Sequence, residues 1–339
     1  MWDLILSEQQ AMILDEVRAF VGRELPLERL RPNAPAHEVA QVLGSIAELG
    51  WLGLGLPEEA GGAGLGLIEE VLVQRECGRH LASPSILASV LAAHLAHTAA
   101  DSALAEALVA GKTSPALAVA QAAEQETTPA RLYALDWRPG DPLLLFGEQG
   151  MELLAPEALA DAHADQSLDD SVTLTSGVLS RRRSLCRVEA QKAPLFLRAQ
   201  LLLAARLTGL AEQACEMTVA YAKVREQFGK PIGSFQAVKH RCADMAVRAH
   251  LAWQHTALAS LKVEAAAPDA RLQAAAAELN AVCAAHENGR AAIQLHGGIG
   301  FQSECDVHWL VKRAHVYDQL GGGVRMLARR VIAEPSPLW

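Results

Sequence analysis

A chain of 339 residues, 51% hydrophobic but only 4% aromatic, can bury a large core built mainly from alanine and leucine, which favour helices. Its formal charge of −9 excludes the basic face with which nucleic-acid binders displace counterions. No run of about 20 uncharged apolar residues is present to cross a membrane as a helix, and Met1-Trp2-Asp3 lacks the basic-then-apolar pattern of a secretory leader.

The first helix is signalled by Ser7 and Gln10, a capping-box pair, followed by Ala11, Leu14, Val17, Phe20 and Val21 at helical spacing. Pro26 and Pro32 break it. Val39, Val42, Leu43, Ile46 and Leu49 repeat in a second helix that runs up to Gly50. After a Gly/Pro-rich loop, two more helical stretches are expected, about Leu67 to Arg79 and Ser85 to Ala100.

From about Ser114 to Ala193 the pattern changes to short apolar runs bounded by Pro, Gly, Asp and Ser. Leu132–Leu135, Leu143–Phe146 and Val172–Leu174 read as brief strands of a small β domain. The basic run Arg181-Arg182-Arg183 reads as a solvated turn.

Helices return from Pro194. Leu201, Leu202, Ala205, Leu207, Leu210, Ala214, Met217 and Ala220 mark a helix of about eight turns that ends near Gly229-Lys230-Pro231. A second runs from an expected N-cap at Ser234 to about Val263. Pro268 separates it from a third, alanine-rich helix that ends at His296-Gly297-Gly298, and shorter helices follow over Cys305–Leu320 and Val324–Ala333. Long helices joined by short loops form a bundle. The expected fold is mainly α, with an N-terminal helical domain (1–113), a reduced middle β domain (114–193) and a C-terminal helical bundle (194–335).

Six cysteines (Cys77, Cys186, Cys215, Cys242, Cys283 and Cys305) show no C-x-x-C pair, and twelve histidines form no H-E-x-x-H cluster. Reduced thiols in a cytoplasmic protein without a metal site are the expectation.

Three segments carry chemistry. The first, Leu49-Gly50-Trp51-Leu52-Gly53-Leu54-Gly55-Leu56-Pro57-Glu58-Glu59-Ala60-Gly61-Gly62-Ala63-Gly64-Leu65, contains glycines that superficially suggest a phosphate loop. A dinucleotide fingerprint needs a strand before it, whereas a helix precedes this one, so it reads as a structural turn. The second runs from Tyr221 to Gln236 and includes Arg225-Glu226-Gln227-Phe228-Gly229-Lys230-Pro231-Ile232-Gly233-Ser234-Phe235-Gln236. An Arg near a helix end, followed by Gly and Pro, suits either an anion or plain solvent. The third, Gln294-Leu295-His296-Gly297-Gly298-Ile299-Gly300-Phe301, allows close backbone approach to a bulky group or simply ends a helix.

In this order the three segments resemble the signatures of the acyl-CoA dehydrogenase family. The resemblance covers 1–110 and 195–335 well and is poor between about 115 and 190. It implies FAD held between subunits. Arg225, Gln227 and Phe228 would lie at the pyrophosphate and neighbouring groups, Phe235 and Gln236 would approach from the next helix, and Gln294, Leu295, Gly297 and Gly298 would reach a neighbour's FAD.

The family removes an α-proton from an acyl-CoA thioester with a Glu while hydride leaves the β-carbon for the flavin. That Glu usually lies in a Y-x-x-x-E-G-T stretch. Here the stretch is Tyr317-Asp318-Gln319-Leu320-Gly321-Gly322-Gly323, so Gly321 takes its place. In the branch that carries the Glu on the helix leading into the glycine motif, counting back from Gly297 gives Cys283. Asp318, Glu287 and Cys283 are the candidates to substitute for that Glu, though the ordinary reading makes the first two surface acids and the third a packed thiol. The family's E-P-x-x-G-S-D loop and flavin-lining strand are missing from 114–193.

These departures resemble the short, base-lacking subunit of bacterial heterotetrameric, steroid-side-chain-type enzymes. The implied function is α,β-dehydrogenation of an acyl-CoA, with this chain as the non-catalytic, FAD-supporting subunit of a full-length partner and an electron-transfer flavoprotein as acceptor. Two alternatives stay open: a self-sufficient homo-oligomeric dehydrogenase with a displaced base, and a flavin-free scaffold or thioester-binding protein.

Overall fold

The computed structural model describes residues 4–31, 39–121, 130–147, 149–180, 183–189 and 194–335. Met1–Asp3, Pro32 and the Arg181-Arg182 part of the basic run therefore lie outside the described residues. The chain contacts divide into two units, one comprising 1–37, 71–82 and 200–339, the other 38–70 and 83–199.

Ser7 caps α1 (Glu8–Glu24) with the reciprocal Ser7–Gln10 bonds of a capping box. Next come α2 (Val39–Glu48), α3 (Leu67–Arg79), α4 (Pro84–Thr98) and α5 (Ser102–Val109). The last was not anticipated, although Asp101 caps it by accepting from the Leu104 N–H. In α4 every residue from Pro84 to Ala96 is buried, as expected of a helix that is apolar on all sides.

In the second unit α4 packs against a seven-stranded sheet. Its strands are β1 (Ala116–Gln121), β2 (Arg131–Leu135), β3 (Leu143–Gly147), β4 (Gly150–Leu154), β5 (Leu159–Asp165), β6 (Leu174–Leu179) and β7 (Ser184–Glu189). The order is β5-β6-β2-β1-β3-β4-β7, antiparallel except for the β1/β3 pair. Ala116, Ala118, Leu132, Ala134, Leu143, Leu154 and Leu159 form its core. The strand expected over Val172–Leu174 begins only at Leu174. Asp136 holds the residues before it, its carboxylate accepting from the Thr173 N–H at 2.9 Å.

In the first unit the long helices are α6 (Leu195–Val224), α7 (Gln236–Glu264) and α8 (Ala270–His296), followed by α9 (Val307–Leu320) and α10 (Val324–Ala333). Between α6 and α7 lies a two-residue ladder, β8 (Glu226–Gln227) with β9 (Lys230–Pro231). The N-cap of α7 is Phe235 and not Ser234, which ends a 3-10 turn; among the described residues no side chain caps this helix.

Two devices bring these helices together. Gly78 and Gly209 meet where α3 crosses α6: a Cβ on Gly78 would stand 2.1 Å from the Arg206 carbonyl oxygen, and one on Gly209 2.0 Å from that of Arg75. Ala211, Ala249, Ala252 and Ala284 form a seam of small residues shared by α6, α7 and α8. At that seam the buried Asn288 donates to the carbonyls of Ala211 and Met245, both at 2.9 Å, and accepts from Arg248 at 3.0 Å.

Candidate functional site

The last turn of α6 and the last residue of α8 meet through one ring pair. Tyr221 stacks on His296 with centroids 4.3 Å apart, which brings the second and third sequence motifs together. Burial holds the His296 imidazole below its ordinary pKa, favouring the neutral ring, and its Nδ1 faces the Ala292 carbonyl at 2.8 Å.

Arg225 follows α6 directly. Its N–H donates to Tyr221 O at 2.8 Å and its carbonyl accepts from Ile232 at 2.7 Å, so its backbone is clamped. Its exposed guanidinium makes no hydrogen bond or ion pair among the described residues. Gln227 is exposed, and its side-chain amide donates to the Glu226 carbonyl. The β8/β9 turn is made by Phe228 and Gly229 with φ of +53° and +78°. Two consecutive left-handed residues match the twist of a tight hairpin, but the first is a phenylalanine, which disfavours that conformation. Its ring is 92% exposed and meets Phe235 edge-on at 6.1 Å, while the Lys230 ammonium lies 4.5 Å from the Phe235 centroid. Gln236 is exposed at the first position of α7.

Gln294 is exposed and Leu295 half-buried in the last turn of α8. Gly297 leaves that helix at φ +65°, ψ −143°, and a Cβ on Gly297 or Gly298 would meet nothing within 4 Å. The cofactor residues proposed from sequence thus lie on one hairpin, one helix start and one glycine turn, with an unengaged cation and open backbone. That donor set fits a diphosphate.

At Gly321 the structure supplies what the sequence reading missed. Gly321 ends α9 in a buried turn, and the atom nearest an added Cβ is Glu278 Oε1, at 2.6 Å. Glu278 projects from α8, 1% exposed. Its Oε2 accepts from Gln200 Nε2 at 2.8 Å and lies 3.9 Å from Arg330 Nη1, whereas Oε1 accepts no hydrogen bond among the described residues. Burial pushes its carboxyl up to about 7, assisted by the Asp318 charge and opposed by Gln200 and Arg330. A lone Glu inside Ala274-Ala275-Ala276-Ala277-Glu278-Leu279 was the available signal, since an unpaired acid in an apolar run is rarely buried without purpose.

The acids considered from sequence fare differently. Asp318 is not a surface residue: it is 8% exposed because α9 turns it onto α8, where Oδ2 faces His286 Nε2 at 3.2 Å. Asp318 Oδ1 and His286 Nδ1 are buried without a partner among the described residues. The His286 ring lies 4.4 Å from that of half-buried His315, whose pKa is lowered by burial and then by His286. Glu287 is exposed and pairs with Arg290 one turn on, at 3.0 Å. Cys283 is exposed rather than packed, yet partial burial and the nearby Asp318 and Glu287 still raise its thiol pKa, which weakens it as a nucleophile or base.

In the other unit, the glycine-rich first motif is a turn, not a phosphate loop. A Cβ on Gly62 would stand 2.1 Å from Leu56 O, and the Gly55 N–H donates to Glu70 at 3.2 Å. Glu70 also meets His94 Nε2 at 2.6 Å and pairs with Arg198. Burial pushes the Glu70 carboxyl up, but His94 and Arg198 outweigh it and hold it at about 2. This network secures a loop and leaves no oxygen for a ligand. Among the described residues no cluster suited to a metal ion is present, and no helix is long and apolar enough to cross a membrane.

Two family models match the chain: "Acyl-CoA dehydrogenase, N-terminal domain" over residues 7–111 and "Acyl-CoA dehydrogenase, C-terminal domain" over 191–335. Neither covers the sheet. The acyl-CoA dehydrogenase IpdE2 of Mycolicibacterium smegmatis is 31% identical over 337 residues, spanning 97% of this chain and 99% of its own. The acyl-CoA dehydrogenase FadE34 of Mycobacterium tuberculosis is 36% identical over 304 residues, but the match takes 86% of this chain and only 42% of that protein. Among solved structures, the ChsE4-ChsE5 complex from Mycobacterium tuberculosis has a chain of the same fold, with a TM-score of 0.81 at 23% identity, covering 99% of this chain and 100% of that one.

Proposed function

The chain belongs to the acyl-CoA dehydrogenase family, and on that premise we propose that it serves FAD-dependent α,β-dehydrogenation of an acyl-CoA thioester as the FAD-supporting subunit of a heteromeric enzyme. The observation that carries the reading is the unengaged Arg225 guanidinium on the hairpin that the Tyr221–His296 stack ties to the open Gly297-Gly298 turn. Arg225 would neutralise the pyrophosphate, with Gln227, Gln236 and Gln294 as hydrogen-bonding groups around it. Phe228 and Phe235 offer apolar faces, and Leu295, Gly297 and Gly298 permit close approach by a neighbouring subunit's FAD. The chemistry FAD supplies when bound is acceptance of hydride from the substrate β-carbon.

The absence of a carboxylate at both Gly321 and Cys283 supports a partner that brings the base for its own flavin site. The fold likeness to a chain of the two-protein ChsE4-ChsE5 complex supports a full-length dehydrogenase subunit as that partner. An electron-transfer flavoprotein as acceptor follows from the family resemblance. A self-sufficient homo-oligomer is the second reading, favoured by Glu278 beside Gly321. A flavin-free scaffold would have no use for an unpaired Arg225.

The test is the FAD-to-protein ratio of the chain alone and mixed with a full-length dehydrogenase subunit. About half an FAD per chain appearing only in the mixture supports the subunit reading. One FAD per chain in the isolated protein refutes it in favour of the second.

A further inference from the structure

The subunit reading leaves one buried acid without a task. Glu278 enters the turn at Gly321 from α8, and its two oxygens are treated differently. Oε2 is held by Gln200 from α6, with Arg330 from α10 beyond it at 3.9 Å. Oε1 has no hydrogen bond among the described residues and points at the place where residue 321 would begin its side chain. With 2.6 Å between Oε1 and that Cβ position, a side chain on residue 321 would have to displace the Glu278 carboxylate. The chain thus carries its carboxylate into this turn from the helix rather than from the loop.

We propose that Glu278 is a proton acceptor of this chain's own, taking the α-proton of an acyl thioester that reaches the turn at Gly321. In that step Glu278 Oε1 forms an O–H bond, the α-carbon–hydrogen bond breaks, and the electron pair stays with the substrate as the enolate of its thioester. No oxidant is involved, and return of a solvent proton restores the thioester. The proposal goes beyond the subunit reading, since it gives this chain a base whichever assembly holds the FAD.

Four features of the surroundings suit that task. Gln200 fixes one oxygen and so aims the other. Arg330 also donates to the Gly321 carbonyl at 2.8 Å, which binds the turn to the same cation that faces the acid. Burial brings the carboxyl to about 7, where an acid exists in both forms at neutral pH and Brønsted behaviour favours it as a base. Asp318 on α9, whose charge helps raise Glu278, contacts His286, which in turn lies against half-buried His315. Among the described residues Asp318 Oδ1 and His286 Nδ1 have no hydrogen-bond partner, so polar atoms remain unengaged on the side of α8 that faces α9.

The experiment uses a 3-thia-acyl-CoA, whose β-sulfur has no hydride to give, so that proton removal is read without dehydrogenation. The full-length chain is mixed with the probe in D2O, and loss of its α-protons is followed by NMR between pH 6 and 9. Expected are catalysed exchange that rises through about pH 7 and a hundredfold or greater loss in Glu278→Gln at unchanged flavin content. Exchange by the wild-type chain no faster than by Glu278→Gln overturns the proposal. If Glu278→Gln does not fold, Glu278→Asp withdraws the same charge by one methylene. A tenfold loss in that variant supports the proposal and an unchanged rate overturns it. Flavin retained without Glu278-dependent exchange removes the base and leaves the subunit reading intact. Exchange without flavin in any assembly does the reverse.

Discussion

Replacing Glu278 by Gln should stabilise the protein at high pH and leave it unchanged at low pH. The folded carboxyl sits at about 7, against 4.5 for the ordinary group. The native state therefore holds this proton more tightly than the unfolded chain. The resulting stability is complete below about pH 4.5 and is lost as pH rises through 7. At about 1.4 kcal/mol for each pH unit between the two values, the loss by pH 8.5 is on the order of 3 kcal/mol. Gln has the shape of the neutral acid and does not titrate. Urea unfolding followed by circular dichroism should give a variant more stable by about 1 kcal/mol at pH 5 and by about 3 kcal/mol at pH 8.5. A difference that stays constant between those pH values would show that Glu278 titrates normally and that its burial costs nothing.

Arg225→Ala should lower the flavin retained by whatever complex forms while leaving the melting temperature of the isolated chain unchanged, because the guanidinium has no partner among the described residues. Undiminished flavin absorbance counts against its assigned role. Phe228→Gly should stabilise the isolated chain by about 0.5–1 kcal/mol in urea, by relieving an aromatic residue held at φ +53°. It should also weaken flavin retention, and a loss of stability would show that the turn is not strained. Gly209→Ala should destabilise by about 3 kcal/mol, since its Cβ would stand 2.0 Å from a backbone oxygen. Gly147→Ala, with nothing within 4 Å, should stay within about 0.5 kcal/mol, and equal urea midpoints for the two would refute the helix-crossing argument.

The helical parts of this fold are legible in the sequence because their signals are local. Ser7 and Gln10 announce α1, and the apolar period places α3, α6 and α8 within a few residues of their observed ends. Most of the sheet is not legible. β1 (Ala116–Gln121) is half alanine, and β5 (Leu159–Asp165) carries two aspartates and a histidine, so both owe their form to neighbouring strands rather than to intrinsic preference. The hairpin and glycine turn of the site could be read because they are contiguous motifs. Glu278 and Gly321 are 43 positions apart in sequence, and only the folding of α9 and α10 against α8 makes them neighbours. Asp318 was read as exposed for the same reason: a single acid on a helix gives no hint of which face the tertiary fold will cover.

The alanine seam has a consequence for uniqueness. Small side chains let α6, α7 and α8 approach closely, but alanine on alanine looks much the same after one helix slides by a turn past the next. Large knobs, which normally forbid such a slip, are missing there. Asn288 breaks the degeneracy, because its amide meets Ala211 O, Met245 O and Arg248 together in only one alignment. Any slipped alignment would leave a buried amide and a guanidinium without partners, at a cost of several kcal/mol. At this seam alanine provides the closeness and one asparagine the register.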